Sequence, residues 1–216
     1  MPAATPAKTY HHGDLRHAML DAVAAVVREH GLSQVSLREV ARRVGVSHTA
    51  AIHHFGNKAG LLTAFAAQGY IELAESVFAS ISAARAADGP AMLEAAGRGY
   101  VRFAVRDPER FHAMFQLDQL DTHDAHFVAA RDAAYALLTR AIRQCHDEGY
   151  VAAAEVAIVA AAAWSLAHGL STLWISGRLA ERTGTTDPDE LAARVTRTFV
   201  DAVLRRGASL VRPVYE

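Results

Sequence analysis

The stretch Ser36–Lys58, with the sequence SLREVARRVGVSHTAAIHHFGNK, decides the fold of this chain. It opens with Ser36 and, three residues later, Glu39, the arrangement of a capping box, in which each side chain bonds the other residue's backbone amide at the start of a helix. Gly45 lies where a helix ends on a left-handed residue, and Ser47 can cap a second helix immediately afterwards. Two short helices joined by a glycine-containing turn form a helix-turn-helix, and the stretch predicts that motif.

The second helix of this motif, Ser47–Phe55, has one apolar face and no acidic residue. Ala51 and Phe55 are four residues apart, so they share a face that can pack inward. Short polar side chains near a helix N-terminus can reach base edges in the major groove of DNA, and the positive end of the helix favours phosphate. We therefore predict a DNA recognition helix. The alternative interpretation is a helical hairpin inside an ordinary bundle.

The candidate DNA contacts fall into three groups. We expect His48 and Thr49 to reach base edges, and Ala50 and Ile52 to make apolar contacts with sugars or a thymine methyl group. The other candidates share a cationic or hydrogen-bonding side chain that can meet a phosphate group: Arg38, Ser47, His53, His54 and Lys58.

The motifs resemble the DNA-binding domain of the TetR family of one-component regulators. The resemblance covers about the first 70 residues and rests on four short segments: Tyr10–Arg16 (YHHGDLR), Ser36–Ala41 (SLREVA), Gly45–Ser47 (GVS) and His53–Lys58 (HHFGNK). Ile52 departs from the family pattern, because it stands where the family usually has a tyrosine that touches the DNA backbone. The resemblance implies a dimer.

The net charge of −1 hides an asymmetry along the chain. Residues 1–60 carry a balance of +3 and the remainder carries −4. A modestly basic segment beside an acidic one fits a local DNA footprint with little non-specific binding elsewhere.

The sequence predicts an all-α fold of about nine helices. Residues 1–9 are expected to form a disordered arm, residues 10–57 a three-helix DNA-binding head, and residues 58–216 a helical-bundle body for regulation and dimerisation. A helix from Asn57 to about Ala84 has no break between head and body, so it should belong to both. The last two long helices are expected to pair with a second copy of the chain in a four-helix interface.

Nothing in the sequence favours a membrane or an oxidising compartment. Cys145 is the only cysteine, which excludes an intrachain disulfide. The N-terminus lacks the apolar core of a signal peptide. The apolar run Val156–Leu173 is interrupted by polar residues and glycine, which favours a buried helix over a membrane span. We expect a cytoplasmic protein.

The body offers a candidate small-molecule site. Trp164 and His168 are one helical turn apart, and an apolar cavity with a polar handle is typical of ligand sites. They and four further side chains could line it: Tyr100, Phe103, Phe111 and Met114. The alternative is that the aromatic residues are core and His168 is a satisfied buried histidine. The segment Trp164–Leu170 (WSLAHGL) also resembles the Trp-His-Gly subgroup of TetR regulatory domains.

Two weaker signals have ordinary explanations. Five side chains of the types that bind metals cluster in a predicted loop: Asp118, Asp121, His123, Asp124 and His126. Their spacing fits no zinc or EF-hand site, so we expect a solvated loop with a capping aspartate. Cys145 has Arg143 nearby and could be a thiol sensor, although a lone helical cysteine is more often a packing residue.

Together these features predict a homodimeric transcriptional regulator, most simply a repressor that a small apolar effector releases from a palindromic operator in double-stranded DNA. No cofactor or metal is expected. No phosphate loop, nucleophile elbow or HExxH motif points to an enzyme. The alternative is a helical module that uses its hairpin to bind a protein partner.

Overall fold

The computed structural model describes residues 12–210, and this part of the chain is helical with no strand, which confirms the all-α prediction. The predicted arm, residues 1–9, lies outside the described residues. The ten helices found are α1 (His12–His30), α2 (Leu37–Val44), α3 (His48–Phe55), α4 (Lys58–Ala83), α5 (Gly89–Arg106), α6 (Pro108–Ala113), α7 (Ala125–Asp147), α8 (Val156–Ile175), α9 (Ala180–Thr183) and α10 (Pro188–Leu210). The short α9 lies in the connection between α8 and α10.

Helix α4 is shared by two hydrophobic cores, as its unbroken sequence predicts. Leu61, Leu62 and Phe65, in its first turns, are fully buried in one core with α1, α2 and α3. Tyr70 and Leu73, one and two turns later, are buried in a second core with α5, α6 and α7. Helix α4 therefore joins the head to the body as one continuous element.

Helices α4 and α5 pack closely because Gly99 has no side chain. A Cβ atom at Gly99 would lie 2.7 Å from Val77 Cα and 2.8 Å from the backbone oxygen of Ser76. The Ser76 hydroxyl donates a hydrogen bond of 2.8 Å to the Gly99 oxygen across the same contact. This approach fixes the distance between the two helices that carry the core of the body.

Helix α8 packs against α5, α7 and α10 on one side only. Ile158 is 68% exposed and Leu173 is 41% exposed, and the alanines between them at 161 and 162 are also exposed. The segment Ala153–Ile175 is long and apolar enough to cross a membrane by length and composition, a test that helices of soluble proteins also pass. A single protomer thus leaves an apolar face of α8 uncovered.

Replacing Gly99 by alanine tests the α4–α5 contact. The added methyl group meets backbone atoms that cannot rotate away, so we expect the variant to be about 1–3 kcal/mol less stable, despite the better helix propensity of alanine. Urea unfolding monitored by circular dichroism measures the change. An unchanged or higher unfolding midpoint would contradict the close approach.

Candidate nucleic-acid interface

Local caps set the ends of α2 and α3 as the sequence predicts. The Ser36 hydroxyl accepts a hydrogen bond of 3.2 Å from the Glu39 amide, and the Ser47 hydroxyl accepts one of 3.1 Å from the Ala50 amide. Gly45 ends α2 in the left-handed conformation with φ +78°. An L-residue with a side chain is strained there, so Gly45 permits the sharp turn between the two helices.

The predicted capping box is wrong in its second half. The Glu39 carboxylate binds two guanidinium groups, accepting hydrogen bonds from Arg42 (2.8 and 2.9 Å) and Arg43 (2.8 Å), instead of reaching back to Ser36. These hydrogen bonds lower the pKa of Glu39 to about 2. Arg43 also forms an ion pair with Glu29 at 2.7 Å, so the network ties α2 to α1.

One face of α3 is buried and the opposite face is open. Ala51 is fully buried and Phe55 is 7% exposed, both within the head core. His48, Thr49 and Ile52 are exposed on the other side, Ile52 to 44%. This face does not fit the alternative of a hairpin enclosed within a bundle.

The nine predicted DNA-contact residues lie in α2, at the cap of α3, in α3 and at the start of α4, with different degrees of exposure. Six are exposed: Arg38, Ser47, His48, Thr49, Ile52 and His53. The other three are partly buried: Ala50, His54 and Lys58. Lys58 also has a structural role, because its ammonium group donates a hydrogen bond of 2.7 Å to the Ser33 backbone oxygen.

Arg16 is a further cation at this surface that the sequence did not single out. Its guanidinium carbon lies 5.3 Å from the centroid of the Phe55 ring, and the residue is exposed. The contact places a positive charge beside the C-terminal end of α3. In the sequence, the only signal for Arg16 was its place in the segment Tyr10–Arg16 (YHHGDLR).

The body holds a cavity of about 290 Å³ between α4, α5, α7, α8 and α10. Of the six predicted lining residues, only Tyr100 and Trp164 line it. The other four are corrected. Phe103, Phe111 and Met114 are buried in the second hydrophobic core, as the alternative interpretation held, and do not line the cavity.

His168, the fourth correction, is not among the residues that line the cavity. Its ring packs on Phe115 with centroids 4.5 Å apart, and its Nδ1 atom lies 3.1 Å from the Tyr100 hydroxyl oxygen. Burial lowers the pKa of His168, with a smaller contribution from nearby His112. Burial also raises the pKa of Tyr100 against an opposing hydrogen bond with Trp164. The pair is therefore uncharged near neutral pH.

The two weaker sequence signals take their ordinary explanations. Among the described residues, no group of three or more His, Cys, Asp or Glu side chains is placed to hold a metal ion. Asp124 caps α7, accepting a hydrogen bond of 2.9 Å from the Phe127 amide. Cys145 is fully buried, and burial raises its pKa to about 12, which favours packing over thiol chemistry.

Comparisons with known proteins agree on one family. Residues 19–65 match the family model described as bacterial regulatory proteins, tetR family, and residues 93–199 match that of the tetracyclin repressor-like C-terminal domain. No curated protein matches the chain significantly.

Solved structures share the fold over nearly the whole chain. A protein of unknown function from Rhodococcus sp. RHA1 is 27% identical, with a TM-score of 0.77, covering 92% of this chain and 100% of its own. The TetR family transcriptional regulator PfmR from Thermus thermophilus is 22% identical, with a TM-score of 0.64, covering 87% of this chain and 97% of its own. The fatty acid degradation regulator FadR from Bacillus halodurans is 16% identical, with a TM-score of 0.67, covering 88% of this chain and 97% of its own.

Two alanine substitutions separate base contacts from backbone contacts at this surface. His48→Ala should weaken the preferred duplex by about 1–3 kcal/mol relative to duplexes altered at one base pair. Arg38→Ala should weaken all duplexes alike and reduce the salt slope by about 1. Fluorescence anisotropy titrations at several salt concentrations measure both effects. If the two variants behave identically, the division of roles is wrong.

Proposed function

The chain belongs to the TetR family of bacterial regulatory proteins and is a DNA-binding transcriptional regulator, and we propose that it is a homodimeric repressor released from a palindromic operator by a small-molecule effector. The observation that carries the proposal is the outward face of α3, which is capped, free of acidic residues and exposed from His48 to His53 except at Ala50 and Ala51. Residues 10–57 then form the DNA-binding domain, and residues 58–216 form the regulatory and dimerisation domain.

The exposed groups at α3 support the proposed contact roles. His48 and Thr49 lie at the N-terminal end of the helix, where side chains reach base edges in a major groove. Ile52, one turn later, would make an apolar contact where the family usually has a tyrosine that touches the DNA backbone. Arg38 at the start of α2 makes no ion pair with residues 15–204, whose side chains the structure describes, so its charge is available for phosphate, and Arg16 adds a second cation.

The uncovered face of α8 supports a homodimer. Large exposed apolar patches mark interaction surfaces in soluble proteins, and a two-fold axis lets the same patch cover itself. A Cβ atom added at Gly169 on this helix would meet no other atom within 4 Å, so a second helix can approach closely there. Such a dimer presents two copies of α3 to half-sites about one helical turn of DNA apart.

Helix α6 supports a physical link between the cavity and the head. On one side, the Phe111 ring packs on Tyr100, which lines the cavity, with centroids 5.9 Å apart. On the other side, Arg28 of α1 donates a hydrogen bond of 2.6 Å to Glu109. An occupant that displaces Tyr100 would push on α6 and through it on α1.

The same helix holds a second contact with α1. Arg110 donates a hydrogen bond of 3.1 Å to Asp21 of α1.

The effector must bind the released arrangement of the heads more tightly than the DNA-bound arrangement, because only differential affinity shifts such an equilibrium. A cytoplasmic location and membership of the Trp-His-Gly subgroup belong to the same proposal.

The proposed dimer and its operator can be tested together with one variant and a matched control. Ile158→Asp places a charge on the uncovered face of α8, so we expect a monomer by light scattering. Its affinity should fall at least about tenfold for the palindromic duplex that the wild-type protein selects from a random library, because half of the contacts are lost. Phe78→Asp changes a similarly exposed apolar residue on α4 and should leave both properties unchanged.

Two results would count against the proposal. The first is a wild-type protein that selects no duplex or shows no fall in affinity with salt, because phosphate contacts release counterions. The second is an Ile158→Asp variant that stays dimeric and binds the selected duplex as the wild type does.

A further inference from the structure

We propose that the cavity of the body takes a neutral aromatic compound that carries one hydrogen-bonding group. The inference rests on the proposed function in treating this cavity as the effector site, and it names the chemical class that the cavity selects. Three features support it: an aromatic lining, a charge-balanced rim and one polar group with hydrogen-bonding capacity.

The lining is aromatic on several sides. Six aromatic side chains line the cavity, each from a different stretch of the chain: Tyr70, Tyr100, Phe115, Tyr135, Trp164 and Phe199. Aromatic rings prefer to meet one another edge to face. Tyr135 and Trp164 already do so, with centroids 6.1 Å apart and planes at 69°. They are 44% and 43% exposed, so they form the entrance, and a planar ring that enters there meets aromatic side chains among aliphatic ones.

The charges at the cavity cancel. Among the described residues, its charged lining residues are Arg131 and Asp132, which are neighbours on α7. The Arg131 guanidinium binds the Asp132 carboxylate, with both nitrogen–oxygen distances at 3.0 Å. A ligand carboxylate attracted by Arg131 would also be repelled by Asp132, and the reverse holds for a ligand ammonium. Since an unpaired charge is costly to remove from water, a neutral ligand is favoured.

Tyr100 is the inner polar group with capacity for a ligand. A phenol hydroxyl can donate one hydrogen bond and accept two. The His168 Nδ1 atom engages it at 3.1 Å, and the hydroxyl keeps further hydrogen-bonding capacity for a ligand. The hydroxyls of Tyr70 and Thr196 already donate to backbone oxygens, at oxygen–oxygen distances of 3.3 and 2.7 Å, and that of Tyr135 belongs to the exposed entrance. Beyond the entrance, the ligand therefore meets the Tyr100 hydroxyl within a largely apolar surface.

Three probes that share one ring system test the charge preference on the full-length protein. Isothermal titration calorimetry at pH 7 compares 2-naphthol, 2-naphthoate and 2-naphthylmethylammonium. We expect 2-naphthol to bind at least about tenfold more tightly than either charged probe. The inference is overturned if a charged probe binds as tightly as 2-naphthol, or if none of the three binds.

Single substitutions locate the effect. Tyr100→Phe should weaken 2-naphthol about threefold to tenfold by removing one hydrogen bond. Asp132→Asn should strengthen 2-naphthoate about threefold, because it leaves Arg131 without its partner, and should leave 2-naphthol unchanged. Asp147→Asn is the matched control, an exposed aspartate of the same helix outside the cavity, and it should change neither. Equal effects of the two aspartate variants would overturn the inference.

Adding the selected duplex separates this inference from the proposed function. If 2-naphthol binds with the expected preference but leaves the protein on DNA, the chemical class stands and the effector role of the cavity fails. If a charged compound releases the duplex and binds the cavity more tightly than 2-naphthol, the class is overturned while ligand-controlled release stands.

Discussion

The burial of Ala51 and Phe55 against α1 and α2 is the contact on which the rest of the structure depends. These two side chains lie one turn apart, so placing them in the core turns the opposite face of α3 to solvent. Ser47 and Gly45 fix where the helix starts and how sharply the chain enters it. A helix of two turns is not stable alone. Without this inward pair, no packing contact would hold the outer side chains of α3 in one orientation.

Helices α4 and α6 connect this head to the body. Helix α4 contributes to both hydrophobic cores, so a rotation of its far end cannot be absorbed by a flexible linker. Helix α6 adds a second connection, with Phe111 beside Tyr100 of the cavity wall and Glu109 bound to Arg28 of the head. A small cavity thus lies two contacts away from α1 of the head.

Sequence patterns predicted the features that depend on neighbouring residues. The caps at Ser36, Ser47 and Asp124 and the bounds of α4 depend on residues within one turn, and the structure has them as expected. The choice of partner by Glu39 was missed, because Arg42 and Arg43 compete with a backbone amide and a charged pair is the stronger hydrogen bond.

The cavity lining was harder to predict than the fold. The sequence indicated that Phe103, Phe111 and Met114 lie inside the body, either as cavity lining or as core. Which inward side chains meet a void depends on how five helices come together, as the lining residues from α4, α7 and α10 demonstrate. Arg16 was missed for the same reason, since its position over Phe55 is a contact between residues far apart in sequence.

Amide hydrogen exchange with and without the selected duplex tests most directly whether α3 is the face presented to DNA. The account predicts that protection on binding is concentrated in α3 and at the N-terminal ends of α2 and α4, while the buried helices of the body change little. Protection centred on another surface, with α3 exchanging as in the free protein, would contradict it.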